Sequence, residues 1–248
     1  MGRIFIGTSG FSYPHWGKGV FYPRHLKPHD WLAYYSHYFD TVEINSSFYR
    51  LPTEETLNRW RDVTPADFTF AVKGSRFITH LKRLKHSEAS VSKFLERFSI
   101  LNRKLGPILW QLPPFLPLSL EHLDNFLSFV RHLIPVAQVV LEVRHPSWLV
   151  EEVFALLSEA KVALCLSDWS QLRVTEPLTA DFVYVRRHGI TSPYDSCYPP
   201  ESLHVDSERI LAWIEAGFDV YVYFNNDAWG YAVQNALQLK QLILGRRG

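Results

Sequence analysis

Short apolar runs alternate with segments of helical periodicity along the whole chain, and few folds accept that pattern. Strands are expected over Arg3–Thr8, Thr41–Asn45, Phe68–Lys73, Pro107–Gln111, Gln138–Glu142, Val162–Leu166, Asp181–Arg186 and Asp219–Asn225. Amphipathic helices are expected over Lys27–Phe39, Ser90–Leu101, Leu120–Ile134, Val150–Ala160, Asp206–Ala216 and Trp229–Leu244, with a further one capped by Thr53 and carrying Glu54 and Glu55 in its first turn. In the first of these, Trp31, Tyr34, Tyr35 and Tyr38 share a face; Ser167–Ala180 holds no long helix. Strand and helix in alternation imply parallel strands with right-handed crossovers. Eight such units in 248 residues predict one domain, a single closed (β/α)8 barrel of TIM type. A doubly wound sheet is the competitor, but Gly7-Thr8-Ser9-Gly10 lacks the GxGxxG spacing of a dinucleotide turn.

The connections are unequal. Helix-to-strand links are short (Asp62–Asp67, Lys104–Gly106, Pro135–Ala137, Gly217–Phe218), whereas Ser9–His29, Lys73–His86, Gln111–Ser119 and Arg187–Val205 are long. Pro113-Pro114 and Pro199-Pro200 read as stiffeners inside these loops. Long loops gathered on one face suggest function there, and barrel enzymes work at the carboxyl ends of their strands.

Those ends are polar. Glu43, Lys73, Glu142, Asp168 and His188 are the candidate catalytic groups. Ser9, Tyr13, Asn45, Tyr49, Arg50, Gln111, Arg144, Trp169, Arg186, Asn225 and Asn226 are candidates for holding a substrate, and Glu142, His145, Asp168 and Asp227 for holding a divalent metal ion. Alternation sets Glu43 with Asn45, Glu142 with Arg144, and Arg186 with His188 on common faces. Taken singly, each residue reads as half of a satisfied buried pair, and Glu43 with Lys73 on neighbouring strands is one such pair. Taken together at one end of the strands, they read as a site.

Net charge is only +1, which gives no overall pull toward nucleic acid. The long loops are nevertheless basic, through Lys18, Arg24, Arg50, Arg76, Lys82, Arg83, Lys85 and Arg173 among others, so an anionic small molecule or a nucleic-acid backbone is an expected partner. Loop aromatics such as Phe48, Phe77, Trp148, Tyr194 and Trp229 suit stacking on a base or sugar, or plain packing of the loops. Cys165 lies in an apolar run and Cys197 in a polar loop, without CxxC or zinc-type spacing. Neither a signal segment nor a membrane-length apolar run is seen, so a cytoplasmic protein without a membrane partner is expected.

Motifs from end to end resemble the YecE-like family, domain of unknown function 72. They are Gly7-Thr-Ser-Gly-Phe-Ser-Tyr13, Phe21-Tyr-Pro23, Thr41 to Pro52, Phe70-Ala-Val-Lys73, Thr79-His80, Leu105-Gly-Pro107, Gln111-Leu-Pro-Pro114, Glu142-Val-Arg-His145, Ser147-Trp148, Asp168-Trp169, Tyr184-Val-Arg186, His188-Gly189 and Tyr223-Phe-Asn-Asn-Asp227. The resemblance implies a TIM barrel, related in architecture to xylose-isomerase-like and endonuclease-IV-like barrels, which use metal ions at this face.

Three functions fit these residues. The first is metal-assisted hydrolysis of a phosphoester, in nucleic acid or a smaller molecule. The second is metal-free acid–base chemistry on a sugar-like or phosphorylated ligand, with Glu43 and Glu142 as a carboxylate pair across the mouth. The third is a non-catalytic barrel that binds a ligand or nucleic acid.

Overall fold

The computed structural model describes residues 1–134, 137–190 and 194–247; the expected link at Pro135 and Val136 and the loop positions 191–193 lie outside the described residues. In chain order the strands are β1 Ile4–Thr8, β2 Thr41–Ile44, β3 Thr69–Lys73, β4 Leu105–Gln111, β5 Val139–Glu142, β6 Ala163–Leu164, β7 Leu166–Trp169, β8 Leu172–Val174, β9 Phe182–Arg187 and β10 Asp219–Phe224. The α-helices are α1 Trp31–Tyr35, α2 Glu54–Val63, α3 Glu88–Phe98, α4 Leu120–Leu133, α5 Glu151–Glu159, α6 Pro200–Glu215 and α7 Tyr231–Arg247.

The ladders form two five-stranded sheets, in the orders β1-β10-β9-β7-β8 and β2-β3-β4-β5-β6. Among the described residues all pairings are parallel except β7 with β8, which makes a short antiparallel hairpin. The continuous ring of backbone ladders expected of a closed barrel is therefore not what forms. Both seams have a physical reason. At Cys165 the sixth run leaves one sheet and enters the other: β6 pairs with β5, β7 pairs with β9, and Cys165 N still donates to Leu141 O at 2.9 Å. Between β1 and β2 only the bridge Ser9–Glu43 joins the backbones. Below it the Tyr35 hydroxyl stands in for a ladder bond, accepting from Thr8 N at 3.0 Å and donating to Thr41 O at 3.1 Å.

The two sheets share one apolar cluster that includes Phe5, Ala71, Leu109, Val140, Cys165, Tyr184, Tyr221 and Tyr223. Thr41 of β2 joins it through a 2.6 Å hydrogen bond to the Tyr223 hydroxyl. A second and larger cluster lies between the other faces of the strands and the helices. The expected helical faces supply it: Val91, Phe94, Leu95 and Phe98 from α3, and Leu123, Phe126, Leu127 and Val130 from α4. Thr53 caps α2, its side-chain oxygen accepting from Thr56 N at 3.2 Å.

Two helices depart from expectation. Only Trp31–Tyr35 of the first is α-helical, preceded by a single 3-10 turn over Pro28–Asp30, so Leu32, Tyr35 and Phe39 take the inner face and Tyr38 is exposed. Conversely α6 begins at Pro200, six residues before the expected start. Proline at the first helical position needs no N–H partner and has the right φ, so Pro199-Pro200 opens a helix rather than stiffening a loop.

Candidate functional site

Pleat alternation builds the site from the shared core outward. Thr41, Ala71, Leu109, Val140 and Tyr184 occupy the face common to both sheets, and the same face two residues further along carries Glu43, Lys73, Gln111, Glu142 and Arg186. All of these but Gln111 are buried.

Arg186 organises them. Its Nε and Nη2 fork onto Glu43 (3.0 Å to Oε2, 2.8 Å to Oε1), and its Nη1 reaches Glu142 Oε2 at 2.7 Å. Tyr184 donates to Glu43 Oε2 at 2.7 Å. Gln111 Nε2 donates to Glu142 Oε2 at 2.7 Å, while Arg144 Nη2 lies 2.5 Å from Glu142 Oε1. The Arg144 guanidinium stacks on Trp169, 4.3 Å from its ring centroid. Burial alone would push both carboxyls up; the guanidinium groups, with the hydrogen bonds, outweigh it and hold Glu43 below the ordinary carboxylate range and Glu142 well below it.

His188 Nδ1 lies 3.1 Å from Asn225 Nδ2 and accepts from it, while its Nε2 faces Arg144 Nη2 at 2.9 Å and Glu142 Oε1 at 3.1 Å. Burial, with Arg186 and Arg144 nearby, overrides the pull of Glu142 and lowers His188 to about 4. His188 is therefore a neutral imidazole at neutral pH.

Lys73 is the exception. The expected Glu43–Lys73 ion pair does not form, because Arg186 occupies both oxygens of Glu43. Lys73 is 9% exposed, and its ammonium rests 4.2 Å above the Phe48 ring. Among the described residues that ammonium has no hydrogen-bond or carboxylate partner. Burial first, then repulsion from Arg186 and Arg144, lowers it to about 7 against the attraction of the two glutamates.

Other sequence candidates stand elsewhere. Asp168 points to the opposite face: its oxygens take the His188 backbone N–H at 2.6 Å, the Tyr198 hydroxyl, and Arg187 at 3.2 Å. It positions His188 from behind. His145 caps the turn over Pro146–Trp148, its Nδ1 accepting from Ser147 N at 3.2 Å. Asp227 ties the β1 and β10 loops together, accepting from Trp16 Nε1 at 2.7 Å and pairing with His15 at 3.2 Å. Asn226 is buried and donates to Ser196 O and Asn235 Oδ1. The Ser9 carbonyl receives Tyr13 and Asn45. Tyr13, Asn45 and Tyr49 line a cleft of about 500 Å³ that includes no member of the charged network, so open volume and chemistry lie at different places on the rim. Chemistry is the better guide, since the buried charged side chains converge at the network and not at that cleft. Arg50 is exposed.

The candidate metal ligands Glu142, His145, Asp168 and Asp227 are thus not brought together, and among the described residues no three His, Cys, Asp or Glu side chains cluster as ligands. The donor chemistry disagrees as well. Both oxygens of Glu142 and both of Glu43 are taken by cationic or N–H donors, and a dication here would displace guanidinium groups. The residues do not fit a divalent ion.

Tyr184, Tyr198 and His80 were not among the candidate site residues, although Tyr184 and His80 fall within the family motifs. Tyr184 was open to the alternation that pairs it with Arg186, but an aromatic residue in a strand reads as core. Counting from Cys165 by twos reaches Ser167 and Trp169, which already puts Asp168 on the other face. His80 arrives through a single π-helical turn over Phe77–Leu81, which no strand or helix period marks.

Fold and network together define the class: a mostly parallel α/β protein with a buried ion network at its strand ends. The chain belongs to the family described as protein of unknown function DUF72, whose model matches residues 5–247. It is 31% identical to a DUF72 family protein of known crystal structure from Thermotoga maritima, with a TM-score of 0.86 and coverage of 98% of this chain and 99% of that one. It is 35% identical over 147 residues to the UPF0759 protein YecE of Escherichia coli K12, covering 58% of this chain but only 50% of that protein, so the match spans about half of that relative's length. The UPF0759 protein YunF of Bacillus subtilis is 24% identical over 97% of this chain and 94% of its own. No described helix is long and apolar enough to cross a membrane.

Proposed function

We propose that the two sheets work as one TIM-type (β/α)8 barrel whose carboxyl-end mouth is a metal-free acid–base site for a small anionic ligand. The shared apolar cluster, the Ser9–Glu43 bridge and the Tyr35 link support the closed ring. The single observation that carries the chemistry is Lys73, a buried amine without an acidic partner, lowered to about 7. A proton-transfer group works best near the operating pH. Glu43 and Glu142 are held ionised by Arg186 and Arg144, so they do not act as the acid–base pair; they fix the cations. A phosphate or carboxylate would complete the charge balance that Lys73 lacks.

Titration of the protein with inorganic phosphate, followed by NMR with chelator present, tests this. Saturable binding that weakens in Lys73→Met is expected. Absence of binding, or equal binding in the two proteins, contradicts the reading.

A second reading has one observation in its favour. Exposed Phe77 and Phe115 lie under Lys82 and Arg83, at 5.3 and 5.6 Å, on the rim. Cation and aromatic together suit a nucleic-acid end. A fluorescent oligonucleotide that competes with phosphate would favour it.

A further inference from the structure

The anion reading names a charge but not the reacting group, and the surroundings of Lys73 go further. We propose that Lys73 is a covalent nucleophile that forms an imine with a small aldehyde or ketone bearing a phosphate or carboxylate. This rests on the anion site proposed above.

Geometry is the first support. Glu43 and Glu142 are the carboxylates that would keep a lysine here protonated, and both are engaged by arginine. The amine is left against an aromatic face instead of an acid. An amine desolvated in this way, beside other cations, is the arrangement that activates lysine toward carbonyls. With a value lowered to about 7, a large share of it is the free amine at neutral pH.

Its anchorage is the second support. The Lys73 carbonyl accepts from Ser47 Oγ at 2.6 Å, and Gly74 N donates to Leu109 O at 2.7 Å. A side chain at Gly74 would put its Cβ 2.1 Å from Trp110 Cε3. The glycine lets the indole pack directly beneath the strand end. The nucleophile is therefore carried on a fixed backbone, as a near-attack geometry requires.

The third support is a proton carrier. His80 stacks edge-on against the same Phe48 ring, centroids 4.9 Å apart. Its Nδ1 is paired with Thr79 Oγ1 at 2.8 Å. Burial and the charges of Lys73 and Arg76 lower it to about 4, so it is a neutral base.

The steps balance without a further reactant. The Nζ lone pair attacks the carbonyl carbon, a C–N bond forms, the C=O π pair moves to oxygen, and one N–H proton passes from nitrogen to that oxygen by way of His80. The nitrogen lone pair of the carbinolamine then forms the C=N bond as the hydroxyl takes a second proton and leaves as water, and the remaining N–H proton passes to His80, replacing the one delivered. Amine plus carbonyl gives imine plus water, with no change of oxidation state, and hydrolysis reverses it.

Borohydride trapping on the full chain tests the proposal, with pyruvate and glyceraldehyde 3-phosphate as probes and glycerol 3-phosphate as the carbonyl-free control. The expected result is a reduced adduct of at least one probe. Its mass is that of probe minus water plus two hydrogens, and peptide mapping of the wild-type protein places it at Lys73. The adduct should vanish in Lys73→Arg and fall sharply with uncharged glyceraldehyde. Glycerol 3-phosphate binding without any adduct from either probe overturns the imine and leaves the anion site standing. Failure of all three compounds to bind overturns both. Label spread over surface lysines and unchanged in Lys73→Arg also overturns the imine; wild-type mapping decides this even where the variant folds poorly.

Discussion

The guanidinium of Arg186 closes on the carboxylate of Glu43 with two bonds, 3.0 and 2.8 Å, and still reaches Glu142 with its remaining arm. One cation thus neutralises acids on two strands of the other sheet. Arg186→Met would leave two buried carboxylates short of their partner, a loss of about 3–5 kcal/mol when one side of a buried pair is removed. Urea unfolding should show it as a fall in midpoint. Arg186→Lys keeps the charge but not the fork, and should recover only part of the loss. Full stability in Arg186→Lys would contradict the bidentate role.

Most of this network was legible in the sequence, and the exceptions have causes. Strand ends and period two located Glu43, Glu142, Arg186 and His188. The pairing did not follow from neighbouring strands: Lys73 lies on the strand next to Glu43, two residues past its register partner Ala71, and the longer, forked Arg186 reaches from β9 and takes both oxygens. Asp168 carried the residue type of a catalytic acid but sits one position out of phase. Pro200 looked like a loop residue because a proline opens a helix only when a helical run stands directly after it, and that run was expected to begin at Asp206. The split at Cys165 could not be read, since one continuous apolar run served two sheets.

His188 makes a prediction about acid. Its ordinary value is near 6.5 and its native value about 4. Between these the unfolded chain takes a proton that the native protein refuses, so stability falls as pH drops, by about 1.4 kcal/mol per unit at most. Glu43 and Glu142 act in the same sense further down. Their depressed values stabilise the fold above the unfolded carboxylate value, and that contribution is lost as pH falls through the native values. Chemical denaturation from pH 7 to 4 should therefore slope downward, and His188→Gln should flatten the upper part. An unchanged slope in the variant would show that His188 is not held neutral.

Tyr35 offers a test of the seam between the sheets. Its hydroxyl joins Thr8 N to Thr41 O where the strands lack a ladder. Tyr35→Phe keeps the ring in the core but leaves a buried donor and acceptor unpaired, for about 1–3 kcal/mol. Hydrogen exchange should locate the effect at Thr8 and its neighbours in β1. Uniform loss of protection across the fold would instead mark a general packing defect.

Lys73 reverses the usual direction of a core substitution. An ammonium lowered to about 7 from 10.5 destabilises the native state wherever the unfolded lysine is charged. Lys73→Met, close in shape and without charge, should therefore unfold at higher urea than the wild type. The sign with pH is definite. Between about 7 and the ordinary lysine value the unfolded chain binds the proton and the native chain does not, so wild-type stability rises with pH. The advantage of Lys73→Met should be largest below pH 7 and shrink by about 1.4 kcal/mol per unit above it. A gain in stability joined to loss of phosphate binding is the pattern of a residue kept for its chemistry. A variant less stable than wild type at pH 6 would mean that Lys73 has found a partner in the native protein, and that the site is not built around a free amine.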